Sequence, residues 1–285
     1  MEKMINRCFR FTFLLFIAVP LTAIALPSPD PVPGGIAVIP LASSDGDRPE
    51  VTYRGRRVMV VPDNDRWNAV VGIGLSAKPG RHAVRVKRNG DTATVSFRVR
   101  DKEYESQYIT LKNKRQVNPY KNDLKRIRGE QVRSREAFAT WTEQDVTANR
   151  FLLPVNGVVT GTFGKRRFFN KQPRQPHSGL DLAAPTGTPI QSPAEGRVVE
   201  VGDYFFNGKV VFIDHGQGLI TMFCHMDSID VAVDDIVDAG QVVGKVGATG
   251  RVTGPHLHWT VSLNNARVNP TLFLSGETLA SLDGM

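Results

Sequence analysis

The C-terminal half of the chain carries histidines and an aspartate at spacings that suit a metal site. Five of the six histidines lie between 177 and 258. His177 and Asp181 are four residues apart, and His256 and His258 are two apart. In an extended segment, residues two or four apart face the same side. Two imidazoles and one carboxylate are a normal ligand set for catalytic zinc, with a fourth position left for water. Each pair alone also fits hydrogen-bonded structural histidines, but together they indicate a zinc site.

The chemistry expected of such a site is metal-assisted hydrolysis. Zinc polarises a carbonyl group and lowers the pKa of water towards neutrality. The chain has no His-Glu-x-x-His arrangement, in which the glutamate acts as the general base. An imidazole that does not bind the metal can take that role, because it titrates near neutrality. A histidine outside the ligand set is therefore chemically suited to assist such a hydrolysis.

Other reactive residues have simpler explanations. His82 is a lone histidine in a predicted strand, which favours a surface or structural role. His215 lies in a turn whose aspartate and glycines are explained by turn chemistry, so no catalytic role is expected. Cys224 has the context of a buried small apolar residue, which disfavours a cysteine nucleophile. The glycines between 240 and 254 do not form a phosphate-binding loop, since Gly244-Lys245 is not followed by serine or threonine.

The elements that position the predicted site are short strands. Apolar runs separated by turn residues cover residues 158–163, 196–201, 209–213, 219–224, 242–246 and 258–263. No alternation of strands with helices occurs, which argues against a parallel doubly wound sheet. We expect an antiparallel β catalytic domain over residues 151–275, followed by a C-terminal tail over 276–285.

Residues 26–118 have the pattern of a separate, small β-sandwich-like domain, so the whole chain is predicted to be mainly β. Apolar or alternating runs at 36–41, 57–61, 82–87 and 93–99 predict its strands. Asn89-Gly90 lies between the last two runs, and this dipeptide between alternating segments is the strongest short signal for a hairpin.

A charged segment over residues 119–150 is predicted to be a short helical linker between the two domains. Its apolar residues recur broadly at helical spacing, which indicates one buried face. They are Leu124, Ile127, Val132, Phe138 and Trp141. The many lysines and arginines of the segment are best explained as a solvated face, although they could also contact an anionic polymer.

The first 25 residues resemble a secretory signal peptide. Lys3, Arg7 and Arg10 precede an apolar stretch over 11–21, and Ala23-Ile24-Ala25 fits a cleavage site. The stretch is well short of the roughly 20 residues that span a bilayer, so no membrane span is expected after cleavage. We therefore expect an exported protein of the periplasm or cell envelope.

The mature chain is expected to be basic and to have a single thiol. Cleavage removes three basic residues and one acidic residue, which changes the formal net charge from +8 to +6. Positive charge suits an anionic polymer such as cell wall and does not by itself exclude nucleic acid. Of the two cysteines, Cys8 lies in the signal, so only Cys224 remains and no internal disulfide can form.

The sequence around the predicted zinc site resembles the LytM/lysostaphin-type zinc metallopeptidases of bacterial cell-wall remodelling. The resemblance spans roughly residues 154–273 and rests on the order and spacing of short motifs. They are Pro154-Val155-Asn156-Gly157, Gly161-Thr162-Phe163-Gly164, His177-Ser178-Gly179-Leu180-Asp181, Gly196-Arg197-Val198, Ile213-Asp214-His215-Gly216, Gly247-Ala248-Thr249-Gly250 and Gly254-Pro255-His256-Leu257-His258-Trp259.

The resemblance implies roles for five residues and one Zn²⁺ ion. His177, Asp181 and His258 correspond to the zinc ligands, and His225 and His256 to the catalytic pair. Which histidine of that pair acts as base and which stabilises the oxyanion stays open. The implied substrate is a peptide cross-link of peptidoglycan, not nucleic acid.

Two further possibilities stay open from the sequence. Family members that act as non-catalytic regulators of other wall hydrolases typically lack ligands or catalytic histidines, and this chain has all five residues. The N-terminal domain could bind wall, bind a regulatory protein partner or cover the catalytic groove.

Overall fold

The computed structural model describes residues 26–146 and 150–283 and is mainly β. The predicted signal segment, with its cleavage site, lies outside the described residues. Within the described part of the chain, no helix is both long and apolar enough to cross a bilayer.

The N-terminal region is a sandwich of two antiparallel sheets, as the sequence predicts. One sheet has the order β1-β5-β4 and the other β3-β2-β6-β7. Their facing side chains share one core that includes Ile39, Val51, Val71 and Val84. The strands are β1 (Ile36–Ser43), β2 (Glu50–Tyr53), β3 (Arg56–Arg57), β4 (Met59–Asp63), β5 (Arg66–Gly72), β6 (Gly80–Arg88) and β7 (Asp91–Val99).

The predicted hairpin is confirmed. Strands β6 and β7 pair in register from Gly80 opposite Val99 to Arg88 opposite Asp91. Asn89 and Gly90 between them both have positive φ, 52° and 88°, as a two-residue type I′ turn requires. The predicted strand over 57–61 is instead divided between β3 and β4.

The connecting region contains a strand, a short 3-10 helix and one long helix. These elements are β8 (Ser106–Ile109), the 3-10 helix Lys114–Gln116 and α1 (Asp123–Ala139). The expected helix forms, but two of its predicted apolar contacts do not: Leu124 is 39% exposed and Val132 is 41% exposed. The predicted residues Ile127 and Phe138 are buried, and Glu130 is buried with them. Glu130 is accommodated there because both carboxylate oxygens accept from the Phe205 backbone N–H, at 2.9 and 3.0 Å.

A ten-stranded sheet forms the main body of the C-terminal region, with the central order β17-β14-β15-β16-β19-β12-β9. All its strand pairs are antiparallel. The strands after β8 are β9 (Val158–Gly161), β10 (Arg166–Phe169), β11 (Gln172–Pro173), β12 (Leu180–Ala183), β13 (Pro189–Gln191), β14 (Gly196–Tyr204), β15 (Gly208–Asp214), β16 (Leu219–Ile229), β17 (Ile236–Val237), β18 (Val242–Val246), β19 (Leu257–Leu263) and β20 (Ala266–Val268). The 3-10 helix Pro270–Phe273 and α2 (Gly276–Asp283) follow, so the expected tail is largely helical.

The two regions are joined through a common core and specific backbone contacts. Alternation along β1 directs Ile39 into the sandwich and Ile36 into the core of the C-terminal sheet. Asn264, in the turn after β19, accepts from Gly72 N–H at 2.6 Å and donates to its carbonyl oxygen at 3.0 Å. A Cβ at Gly72 would lie 2.5 Å from the Leu263 carbonyl oxygen, so this contact needs glycine. Strand β8 also pairs in parallel with β10 of the C-terminal region.

Candidate metal centre

The three predicted metal ligands converge in the structure. His177 Nε2 lies 2.9 Å from Asp181 Oδ1, and His258 Nδ1 lies 2.7 Å from the same oxygen. The two ring nitrogens are 3.0 Å apart. All three residues are buried, and they are the only group of histidine, cysteine, aspartate and glutamate residues in the described chain that could hold a metal in this way.

Sheet register explains how distant residues meet. Asp181 on β12 is directly opposite His258 on β19. His177 lies in the segment before β12, where its backbone N–H donates to the Lys165 carbonyl oxygen and its carbonyl oxygen accepts from the Gly164 N–H, at 2.8 Å each. The chain bends at Gly179 between His177 and Asp181, so these backbone contacts, and not the spacing of four residues alone, bring the two side chains together.

Two glycines leave the space that the site needs. A Cβ at Gly161, which pairs with Asp181, would lie 2.3 Å from Asp181 Oδ2. A Cβ at Gly179 would lie 2.8 Å from the ring of His258 and 2.4 Å from a backbone oxygen. Side chains at either position would displace a predicted ligand.

The outer atoms of the three residues are held by the surrounding chain. His177 Nδ1 donates to the Thr162 carbonyl oxygen at 2.7 Å. His258 Nε2 bonds to Thr260 Oγ1 at 3.0 Å, and Arg167 donates to Asp181 Oδ2 at 2.6 Å. Partners of this kind fix the orientation of metal ligands and, for histidine, the tautomer.

Burial and mutual contacts set the charge of the cluster. Burial alone would raise the pKa of Asp181, but the hydrogen bonds and charges of His177 and His258 outweigh it and hold that pKa well below its usual value. Burial lowers the pKa of His258 to about 4, despite its bond to Asp181. An ionised carboxylate and a neutral imidazole are the forms that bind metal.

The donor set fits a zinc ion. A carbonyl oxygen only accepts, so in the neutral form that binds metal the proton of His177 lies on Nδ1 and the Nε2 lone pair faces the carboxylate oxygen. In the tautomer of His258 whose Nε2 donates to Thr260, the Nδ1 lone pair faces that oxygen as well. Three acceptors this close repel one another unless a cation lies among them. Tetrahedral zinc with bonds of about 2.0–2.1 Å separates its ligand atoms by about 3.3 Å, so these atoms need to move by only a few tenths of an ångström.

His225 and His256 lie beside the cluster, as the resemblance implies. Their rings are 4.8 Å apart between centroids, and the His225 ring is 6.1 Å from that of His258. In each, Nδ1 donates to a backbone carbonyl oxygen, of Thr249 or of Gly254, at 2.9 Å. His256 Nε2 is 3.9 Å from Asp181 Oδ1. In both rings the orienting bond uses Nδ1, so Nε2 is not engaged in it.

The backbone at His225 is unusual. Its φ of 64° lies in the left-handed region, which non-glycine residues seldom adopt and which concentrates at functional sites. The pairing of β16 with its neighbours shifts register around this residue, as at a β-bulge that redirects a side chain. Burial, followed by the neighbouring histidine charges, lowers the pKa of His225 to about 3, so its ring is neutral at physiological pH.

The residues to which the sequence gave no catalytic role lie outside the cluster. His215 is buried, and both of its ring nitrogens are bonded within the chain. Cys224 packs in an apolar cluster with Phe138 and Phe212, and burial raises the pKa of its thiol to about 12. His82 bonds to the Tyr53 hydroxyl at 2.5 Å in the N-terminal sheet.

Sequence reasoning missed three arginines that line the groove beside the cluster. Arg167, Arg174 and Arg251 surround a cavity of about 460 Å³ together with His177 and other residues. None has a spacing that predicts a site. The one available signal is the position of Arg251, a charge between turn glycines shortly before the histidine pair.

Known proteins resemble both halves of the chain. The profile of Peptidase family M23 matches residues 175–270, and that of the Peptidase family M23 N-terminal domain matches residues 29–102. A crystal structure described as a putative peptidase M23 from Pseudomonas aeruginosa is 44% identical with a TM-score of 0.74. The match covers 86% of this chain and 95% of that one. This chain belongs to peptidase family M23.

Curated relatives resemble this M23 chain over about a third of its length. The Peptidoglycan DD-endopeptidase ShyC of Vibrio cholerae is 44% identical over 95 residues, which are 33% of this chain and 22% of that protein. The DD-carboxypeptidase/endopeptidase Mpg of Neisseria meningitidis is 42% identical over 94 residues, with the same two shares. The M23 chain thus spans about a fifth of the length of these curated relatives.

Proposed function

We propose that this M23 chain is an exported zinc metalloendopeptidase that hydrolyses the peptide cross-links of bacterial peptidoglycan. The observation that carries the proposal is the convergence of His177 Nε2, Asp181 Oδ1 and His258 Nδ1 within 3.0 Å of one another. The activities for which the curated relatives are named support peptidoglycan as the substrate.

One Zn²⁺ ion held by these three residues would polarise the scissile carbonyl and acidify an attacking water molecule. The chain contributes the proton transfer. His225 and His256 are each fixed through Nδ1, so Nε2 can accept a proton or donate one to a developing oxyanion. Arg167 holds Asp181 in place and partly balances its charge.

The decisive experiment is digestion of isolated murein by the full-length protein, purified from the envelope of an expressing strain and loaded with zinc. We expect about one zinc per chain and loss of cross-linked muropeptides, with the cleaved bond identified by mass spectrometry. N-terminal sequencing should begin at Leu26 if the signal is cleaved as proposed.

Replacing His256 with glutamine provides the matched variant. It should retain zinc but digest murein about 10²- to 10⁴-fold more slowly, because a positioned general acid or base contributes that much. A wild-type protein that binds zinc and murein but never cleaves it would refute the enzyme proposal and favour a regulator of other hydrolases.

A further inference from the structure

The cavity beside the metal centre is strongly basic. Three of its lining residues are arginines, and the same cavity is lined by His177, His225 and His258. Two of the arginines already have partners within the chain: Arg167 has a carboxylate, and Arg174 has several uncharged acceptors. Arg167 donates to Asp181, and Arg174 donates to the Val117 carbonyl at 2.9 Å and to Gln172 at 2.7 Å.

Arg251 differs because its guanidinium is held in place by aromatic rings and has few hydrogen-bond partners within the described chain. Its guanidinium carbon lies 4.4 Å from the ring centroids of both Phe169 and Phe206. Its backbone N–H donates to the Phe206 carbonyl oxygen at 2.8 Å. Stacking on two aromatic faces stabilises and orients a guanidinium and leaves its in-plane N–H groups free to donate.

The polar contacts of the Arg251 head group are few. Nη1 donates to the Gln116 carbonyl oxygen at 3.4 Å. Among residues 26–146 and 150–283, no carboxylate lies within 4.0 Å of it. Burial and the charges of Arg167 and Arg174 lower its pKa to about 10, so it stays charged at neutral pH. A half-buried cation without a counter-ion is costly unless a ligand supplies the anion.

Arg251 is close in sequence to a residue that orients a predicted catalytic histidine. It follows Thr249 by two residues, and the Thr249 carbonyl oxygen accepts the bond that orients His225. An anion on Arg251 would therefore fix a ligand next to a predicted catalytic histidine. The planar fork of a guanidinium matches the two oxygens of a carboxylate.

We propose that Arg251 binds a free carboxylate of the substrate peptide close to the scissile bond, and so selects carboxylate-bearing peptides over their amidated forms. This inference rests on the proposed function, since it takes the metal centre as the site of cleavage. The Gln116 carbonyl occupies one donor of Arg251 weakly, and a carboxylate replaces it because charge-assisted bonds are roughly twice as strong.

The test compares two synthetic cross-linked peptides that differ only in a free carboxylate or a primary amide beside the scissile bond. The zinc-loaded full-length protein should have a kcat/KM about 10- to 100-fold higher for the carboxylate form, as expected for a hydrogen bond between charged groups. Arg251→Gln should remove this preference, chiefly by raising KM for the carboxylate form. Arg251→Lys should retain part of it, because it keeps the charge but loses the fork.

Arg197→Gln is the matched control, because Arg197 is an exposed arginine of β14 paired with Asp234. It should leave the preference unchanged, and zinc content should be equal in all variants. Equal kcat/KM for the two peptides in the wild type, or an equal loss for both in Arg251→Gln, would overturn the inference.

Calorimetric titration of the same peptides separates this inference from the proposed function. A lower Kd for the carboxylate form that disappears in Arg251→Gln supports the inference even if no peptide is cleaved, in which case the hydrolase proposal alone fails. Equal Kd values for both peptides contradict the inference whether or not cleavage occurs.

Discussion

The C-terminal sheet contains two buried clusters of the same residue types with different connections. Each combines an aspartate, a histidine and a threonine whose hydroxyl bonds to the histidine Nε2 atom, at 3.0 Å in one and 2.8 Å in the other. The site cluster is Asp181, His258 and Thr260, and the turn cluster is Asp214, His215 and Thr221.

The difference lies in what the remaining atoms face. In the turn cluster, His215 Nδ1 donates to the Glu195 carbonyl oxygen at 2.7 Å, and Asp214 accepts from Gly216 N–H and Thr142. Every bond joins a donor to an acceptor. In the site cluster, His258 Nδ1 faces Asp181 Oδ1 with a second imidazole nitrogen nearby. A buried histidine is thus a candidate ligand where acceptors face one another, not merely where aspartate is near.

The two aspartates reflect this difference in their ionisation. Burial raises the pKa of Asp214, against the bonds from Gly216 and Thr142. The imidazoles around Asp181 instead hold its pKa well below the usual value, although burial opposes this. The site cluster therefore keeps the negative charge that a divalent cation needs.

The largest expected effect comes from removing the aspartate of each cluster. Asp181→Ala should lower zinc affinity and murein cleavage by more than the roughly 100-fold that a lost outer partner costs, because a ligand itself is lost. Asp214→Ala should keep zinc and activity and lower the free energy of unfolding by about 1–3 kcal/mol, through its unpaired turn donors. Metal analysis measures the zinc content of both variants, and denaturant unfolding measures their free energy of unfolding. Loss of zinc in Asp214→Ala would contradict the distinction between the site cluster and the turn cluster.

The next effect is a pH dependence of stability from the turn cluster. Burial lowers the pKa of His215 from 6.5 to about 4. As pH falls from 6.5 to 4, the unfolded chain takes up a proton that the folded chain does not, so stability decreases; above pH 6.5 the contribution is constant. The decrease is on the order of 3 kcal/mol. Denaturant unfolding of metal-free Asp181→Ala protein at several pH values should show a shallower slope after His215→Gln.

The outcome that would refute the assignment is an identical slope with and without His215. Such a result would mean that other buried histidines carry the whole pH dependence.

The smallest effect distinguishes the two threonines, which are both fully buried. Thr260→Val should weaken zinc binding by about 10- to 100-fold, because the hydroxyl fixes the orientation and tautomer of His258. Thr221→Val should leave zinc affinity unchanged and lower the free energy of unfolding by about 1 kcal/mol. Chelator competition measures the affinities, and equal affinities in the two variants would contradict the role of Thr260.

Local patterns in the sequence were sufficient for much of the fold. The Asn89-Gly90 turn and the alternating runs beside it define a hairpin, because a two-residue turn fixes register locally. The helix α1 was also predictable, as was the burial of Ile127 and Phe138 on it, but not the burial of Glu130. Glu130 can be buried because its carboxylate accepts from the Phe205 backbone N–H in a distant loop. The spacing of residues within α1 contains no information about that partner.

The amino-acid sequence by itself determined the candidate ligands and the region that holds them: two spacings indicated a metal site, and the resemblance to a known metallopeptidase family implied which residues are the ligands. Only the tertiary structure decided that Asp181 lies opposite His258, that His225 turns towards them at a bulge, and that no carboxylate of the described residues pairs with Arg251. These features depend on strand register and on contacts between residues far apart in the chain. A one-residue change of register would reverse every side chain on a strand, and local sequence cannot specify a partner it does not contain.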